Sequence, residues 1–310
     1  MEALEARVQL DRDIAQSCPE TLLWNAAFEA AYRSGIGNSP LSCATSSKVS
    51  KDAIMGFFAS AMKRPGHLVG FDGVDWRDAS FLIKSHFVAP LPRLERPVNA
   101  ANYYGGERRI AHSGDLNHVF VGFGVCGAIN RAEANIARIL CAMVGGEASV
   151  HYGQEMSHLP GVSKVLSEMN DLQIIGGYEE CSQGGLLGIQ LVLPRSVAAR
   201  PIIEVLCKEL RNIVINTPST EVLVAAKMRA ASKLAWQSES RIGLANALAM
   251  RLYTHTNIPY SLVDDIKELS RVTTSDFKMT ASKILSRKPV LISLGNLHEL
   301  PHADEVSFNQ

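Results

Sequence analysis

Three runs in this chain combine residue types and spacings that could do chemistry. His298-Glu299-Leu300-Pro301-His302 matches HExxH letter for letter. That pattern works when a helix puts two imidazoles at i and i+4 on one zinc ion and aims the glutamate at the metal-bound water. Pro301 stands where the helix would need a backbone N–H, and proline costs about 3 kcal/mol in a helix interior. Only eight residues follow, so the run reads as a surface tail. Gly122, Gly124 and Gly127 form a GxGxxG after a strand and before a helix, with Glu147 twenty residues further on. A dinucleotide site needs that acid at the end of a second parallel strand. Glu147 instead directly follows a helix and Gly145-Gly146. His151, Glu155 and His158 lie together in a polar stretch with no Cys or Asp cluster near them, which is a poor ligand set. There is no GxSxG. The expectation is therefore no catalytic, cofactor-binding or metal residues.

The elements that would position any site follow from periodicity. Asn102–Gly127 reads as a hairpin of two long strands. The first carries Gly105-Gly106-Glu107-Arg108-Arg109, and the second, His118–Phe123, is an unbroken apolar and small run suited to burial on both faces. Upstream, residues 1–17 form an amphipathic helix with Leu4, Val8 and Ile14 on one face. Helices over 20–34, 51–62 and 76–87 follow, with a strand at His67–Phe71. Ser50 is a suitable N-cap. Pro90, Pro92 and Pro97 stiffen an aperiodic link. After the hairpin come a helix over Arg131–Val144, a polar loop to Pro160 and a short helix over 159–169. Strands at 172–175 and 186–193 follow, then helices over 196–214, 219–238, 240–254 and 259–286, the last broken near Val272, and a strand at 289–294. Ser261 with Asp264 and Thr273 with Asp276 have capping-box spacing. The class is α+β.

At 310 residues two domains are expected. With 46% apolar residues, and 31 basic against 31 acidic, the chain is an ordinary globular protein with no electrostatic case for nucleic acid or anionic membrane. No apolar run is long enough to span a bilayer. The six cysteines have no CxxC pair and read as reduced thiols. The N-terminal MEALEARVQLDRD is acidic and amphipathic, unlike a transit or secretory segment.

Several stretches, taken together and in order, resemble the processing-peptidase-like core subunits of mitochondrial ubiquinol–cytochrome c reductase. They are Asn25–Arg33 with Asn38-Ser39, Tyr104–Arg109 with Leu116–Val119, Ala132–Asn135, Gly184–Ile189, and Ser286-Arg287-Lys288 through Leu294–Leu297. The match is best to the second core protein of that group, within the processing-peptidase and pitrilysin-like superfamily. The resemblance implies two similar α+β domains, each a sheet packed with helices: the C-terminal half of the first over 1–87, a Pro-rich linker over 88–101 and the second over 102–310. The other half of domain one carries the inverted zinc motif HxxEH in active relatives, and no such run occurs here. Active relatives also use a glutamate in the helix that matches residues 1–17, where this chain has Asp11 and Asp13. The substrate loop of the noncatalytic processing-peptidase subunit is Gly-rich, whereas Gly145–Gly161 holds few glycines and several bulky side chains.

The implied function is a noncatalytic structural subunit, without cofactor, needed for assembly and stability of complex III. Its partners would be the first core protein, cytochrome b, cytochrome c1 and the iron–sulfur protein, and it would not bind nucleic acid; the missing half-domain implies either a separate chain that supplies it or a sequence truncated from a longer gene. Its place would be the matrix side of the mitochondrial inner membrane, peripheral to it. The alternatives are the alpha-type subunit of the processing peptidase, or part of a split zinc metallopeptidase completed by Asp11 or Asp13.

Overall fold

The computed structural model describes residues 2–39, 50–62, 73, 75–86, 100–127, 130–144, 172–216, 218–254 and 261–306. The expected strand at 67–71, the helix at 159–169, the loop Gly145–Gly161 and most of the linker lie outside them. The elements in chain order begin with α1 (Glu2–Ser17), α2 (Pro19–Tyr32), α3 (Lys51–Met62) and α4 (Trp76–His86). Then come β1 (Gly106–Ala111), β2 (Leu116–Val125), α5 (Arg131–Val144), β3 (Gln173–Glu180) and β4 (Gly185–Pro194). The chain continues through α6 (Ala199–Ile215), α7 (Thr220–Gln237), α8 (Arg241–Thr254), α9 (Leu262–Arg271), α10 (Thr274–Leu285) and β5 (Val290–Gly295). The α+β class stands: among the described residues the architecture is a five-stranded sheet packed with helices.

The chain folds as two compact units. One comprises 1–42, 100–232 and 263–310; the other comprises 43–99 and 233–262. The first holds a five-stranded sheet in the order β1-β5-β2-β4-β3, with β1 parallel to β5 and the other pairs antiparallel. The expected hairpin is therefore corrected. β1 and β2 are consecutive and antiparallel but are not partners, because β5 enters between them. Every residue of β2 beyond Leu116, and every residue of β5, is buried. Buried backbone needs ladder partners on both edges. β1 carries Glu107-Arg108-Arg109 and suits an outer edge, where charge deters further pairing. His112–Asp115 can extend about 13 Å, enough to step over one intervening strand at about 4.8 Å spacing.

The two faces of this sheet are covered differently. Phe120, Val290, Ile292 and Leu294 pack with Leu23, Ala26, Ala27 and Ala31 of α2. The other face takes α5 and α10. α5 is buried along Ala134, Ile136, Ala137, Ile139, Leu140 and Met143, as its spacing predicts. The predicted break falls between α9 and α10. There the Thr273 side chain accepts from the Asp276 N–H and the Asp276 carboxylate accepts from the Thr273 N–H, a complete capping box. β3 runs five residues beyond the predicted 172–175, through Gly176-Gly177 to Glu180.

The second unit contains α3, capped by Ser50, whose hydroxyl accepts from the Ala53 N–H at 3.1 Å, together with α4 and α8. Phe57 (72%), Phe81 (71%) and Ile242 (75%) are exposed. In the first unit the expected apolar face of α1 is solvent-facing too: Val8 and Ile14 are 54% and 58% exposed.

Candidate functional site

The two faces of the sheet unit hold the groups whose geometry is most specific. On the α2 face, Gly122 of β2 lies opposite Gly188 of β4, and Gly188 opposite Gly177 of β3, so three glycines make one row across three strands. A glycine inside a strand commonly marks a close approach, and here aromatic rings make it. A Cβ on Gly177 would stand 2.5 Å from Trp24. One on Gly122 would stand 2.6 Å from Phe120, and one on Gly188 would run into Phe120 and Trp24 together. The two rings meet edge-on, 4.9 Å apart at 74°, an arrangement worth about 0.5–1.5 kcal/mol beyond burial. The glycine row is thus a seat for Trp24 and Phe120.

At the other end of α2, Tyr32 is buried. Its hydroxyl donates to the Gly185 carbonyl at 2.6 Å and accepts from the Gly185 N–H at 3.1 Å. Tyr103 stacks edge-on against it at 5.7 Å and donates to the Lys288 carbonyl at 2.6 Å. The α2 C-terminus closes on the strand side: the Tyr104 N–H donates to the Ala31 carbonyl at 2.8 Å, and the Arg33 guanidinium sits 4.3 Å above the Tyr104 ring. Arg33 has φ 62° and is the one non-glycine residue at positive φ among the described residues. Arg108 of β1 pairs with Glu29 of α2.

Burial pushes the Tyr32 phenol up to about 12 from 10.0, against the lowering effect of the Gly185 backbone hydrogen bond. An acid whose folded pKa is raised stabilises the fold below its unfolded value and loses that contribution as pH rises through the folded value. Stability should therefore fall between pH 10 and about 12 by roughly 2–3 kcal/mol. Unfolding followed across that range, with Tyr32→Phe lacking this share of the decline, checks it.

On the opposite face, Glu133 in the first turn of α5 is 2% exposed. Its Oε1 accepts from Arg287 Nη1 at 2.6 Å and from the Cys126 N–H at 2.9 Å. Arg287 also donates to the Gly124 carbonyl, and its Nη2 lies 3.6 Å from Cys126 Sγ. Lys283 Nζ is 3.6 Å from the other oxygen of Glu133. Burial alone would push the Glu133 carboxyl up, but the Arg287 guanidinium and the Cys126 amide hold it below the usual carboxylate range. The cluster satisfies a buried carboxylate and ties α5, β2 and the chain after α10 to one point.

The runs singled out for chemistry are placed as follows. His298–Leu300 belong to a turn, not a helix. Glu299 accepts from Asn296 Nδ2 at 2.6 Å and from Asn117 Nδ2 at 3.2 Å, and His302 Nδ1 lies 3.3 Å from Glu107. Arg109 clamps this turn by donating to the carbonyls of Leu297, Leu300 and Pro301, the last two at 3.0 Å. Lysine lacks the planar fork that reaches three carbonyls at once. Arg109→Lys should cost about 1–2 kcal/mol locally and speed amide hydrogen exchange over 296–302 while leaving β2 and β4 protected. Gly122 and Gly124 lie inside β2 and serve packing, the latter against Tyr103. Gly127 has φ 65° and passes so close to the carbonyls of Cys181 and Gly184 that a side chain has no room. Asp11 and Asp13 are solvent-facing on α1, and Asp13 accepts from Gln9 at 2.9 Å. Glu147, His151, Glu155 and His158 lie outside the described residues.

The glycine row, the Tyr32 anchor and the Glu133–Arg287 pair are absent from the sequence reading. Only the glycine row has a sequence signal, three glycines inside or just beyond strand-forming runs.

No protein-family model matches the chain. Among curated proteins, cytochrome b-c1 complex subunit 2, mitochondrial, of Cryptococcus neoformans is 27% identical over 314 residues, covering 97% of this chain and 67% of that protein. The protein of the same name from Neurospora crassa is 26% identical over 292 residues, covering 92% and 62%. Probable mitochondrial-processing peptidase subunit alpha-1 of Arabidopsis thaliana is 27% identical over 211 residues, covering 67% and 41%. Among solved structures, a chain of complex III2 from Candida albicans superposes with a TM-score of 0.79 at 13% identity, covering 96% of this chain and 72% of that one. The chain thus spans about two thirds of the length of its b-c1 relatives. The resemblance drawn from the residues is borne out, both to the second core subunit and to the wider processing-peptidase-like group.

Proposed function

We propose that this chain acts as a noncatalytic structural core subunit of ubiquinol–cytochrome c reductase, needed for assembly and stability rather than turnover. The observation that carries this reading is similarity over 97% and 92% of the chain to two proteins named as subunit 2 of the b-c1 complex. The geometry agrees with a packing role. The buried Glu133 carboxylate and the Tyr32 hydroxyl are both engaged in holding elements together. Large apolar side chains on α1, α3 and α4 face solvent in the isolated chain, as surfaces meant for partners do. Its partners on this reading are a first core protein and the cytochrome b, cytochrome c1 and iron–sulfur subunits. It sits peripherally on the matrix side of the mitochondrial inner membrane; among the described residues no helix is long and apolar enough to cross a membrane. The redox chemistry belongs to those other subunits.

A second reading is favoured by the matches to two processing-peptidase alpha subunits of Arabidopsis thaliana. It would make the chain a noncatalytic peptide-binding subunit in a soluble heterodimer. Gentle purification through a tag on this chain, with mass spectrometry and haem absorbance, separates the two. Co-isolation of b- and c-type haem proteins with a second core-like subunit is expected. Recovery from the soluble fraction with only a zinc-bearing peptidase subunit would replace the structural reading with the second one.

A further inference from the structure

Two anchors on α2 match two features of the sheet beneath it. Trp24 enters the glycine row at Gly177 and Gly188, and Tyr32 bonds both backbone groups of Gly185. Eight residues of helix rise about 12 Å between the anchors, and the three residues from Gly188 to Gly185 run about 10 Å along β4. The two spans are similar in length. Leu23, just before the first anchor, and Ala26, Ala27 and Ala31 between the two are fully or almost fully buried, and the alanines are small enough to bring the helix onto Phe120, Ile292 and Leu294. The chain then leaves α2 and returns to the same spot: the Tyr104 N–H meets the Ala31 carbonyl, and Tyr103 meets Tyr32.

We infer that this sheet face is a docking groove that reads one kind of ligand, a helix with a tryptophan and, two turns on, a tyrosine flanking a stripe of small residues. α2 fills the groove in cis, and its hold does not depend on the covalent passage through residues 40–99. The contacts of the hold come from residues 19–36 and from 101–294. The groove would therefore retain α2 after the chain is cut, and would take the same helix in trans. This inference is independent of any role in a respiratory complex.

The test keeps the full chain. A recognition sequence for a site-specific protease is placed within residues 40–49, the folded protein is cleaved, and the products are run on a sizing column in native buffer. The N-terminal fragment is expected to co-elute with the remainder. Its separation would overturn the inference. Tyr32→Phe should release the fragment at least tenfold faster, and release at the wild-type rate would overturn the two-anchor register. A fluorescent peptide of residues 17–39, added in excess to the cleaved protein, requires no destabilised variant. It should exchange with the resident fragment, whereas a peptide with Trp24→Ala and Tyr32→Ala should not. Equal exchange of both peptides would mean that the groove does not read these side chains.

Discussion

Arg287→Met should lower the unfolding free energy by about 3–5 kcal/mol, because it leaves the Glu133 carboxylate buried without its cation. Arg287 is 21% exposed at its side chain and Glu133 2%, so water cannot take over on the acid's side of the pair. Lys283 reaches the other oxygen only at 3.6 Å from a largely exposed position, too weak a substitute. Urea unfolding by tryptophan fluorescence measures the loss. A change within about 0.5 kcal/mol, the ordinary range for surface substitutions, would show that the pair does not hold the fold. The double variant Glu133→Leu with Arg287→Met should recover most of the loss, since replacing both buried charges by apolar groups is often neutral or better. The pH dependence has a definite sign. The Glu133 carboxyl is held below its usual range in the fold. Its contribution is therefore complete above the unfolded carboxylate pKa of about 4.3 and is lost as pH falls through the lower folded value. Wild-type stability should decline over that acid window more steeply than that of Glu133→Gln.

How far such contacts are legible in advance depends on their sequence separation. Ser50 capping α3 and Thr273 with Asp276 capping α10 lie three residues from their partners, and spacing alone identifies them. The helix over Arg131–Val144 is legible because its apolar residues repeat at the helical period. The expected hairpin fails for the opposite reason. β5, more than 160 residues beyond β2, competes for the edge that a local reading assigns to β1, and periodicity within a strand carries no information about its neighbour. Glu133 and Arg287 are 154 residues apart. Composition marks each as an ordinary surface residue, and only the fold buries one against the other. Two of the stretches that carry the resemblance, Gly184–Ile189 and Tyr104–Arg109, fall at the Gly185 anchor and beside the α2 C-terminus. The resemblance therefore marks positions whose physical role becomes visible only in three dimensions.

Gly188→Val should cost about 2–3 kcal/mol although it puts a strong strand former into the middle of a strand. β propensity favours valine over glycine by up to about 1 kcal/mol. Against that, its Cβ would enter the space of the Phe120 and Trp24 rings, which are held by each other and by the sheet. Overpacking of this kind typically costs about 1–3 kcal/mol, occasionally more, and at Gly188 two aromatic rings must move instead of one. The control is a glycine with nothing to obstruct. Gly56, in the interior of α3, has no atom within 4 Å of a built Cβ, so Gly56→Ala should stabilise by about 0.5–1 kcal/mol. The same kind of change thus has opposite signs at two sites, decided by space and not by propensity. Combining Gly188→Val with Trp24→Ala tests the cause. If the seat is real, removing one ring makes room for the valine methyls, and the pair should cost less than the sum of the singles by at least about 0.5 kcal/mol. Strict additivity would mean that Trp24 and Gly188 do not share a site, and the glycine row would then have to be explained by backbone twist alone.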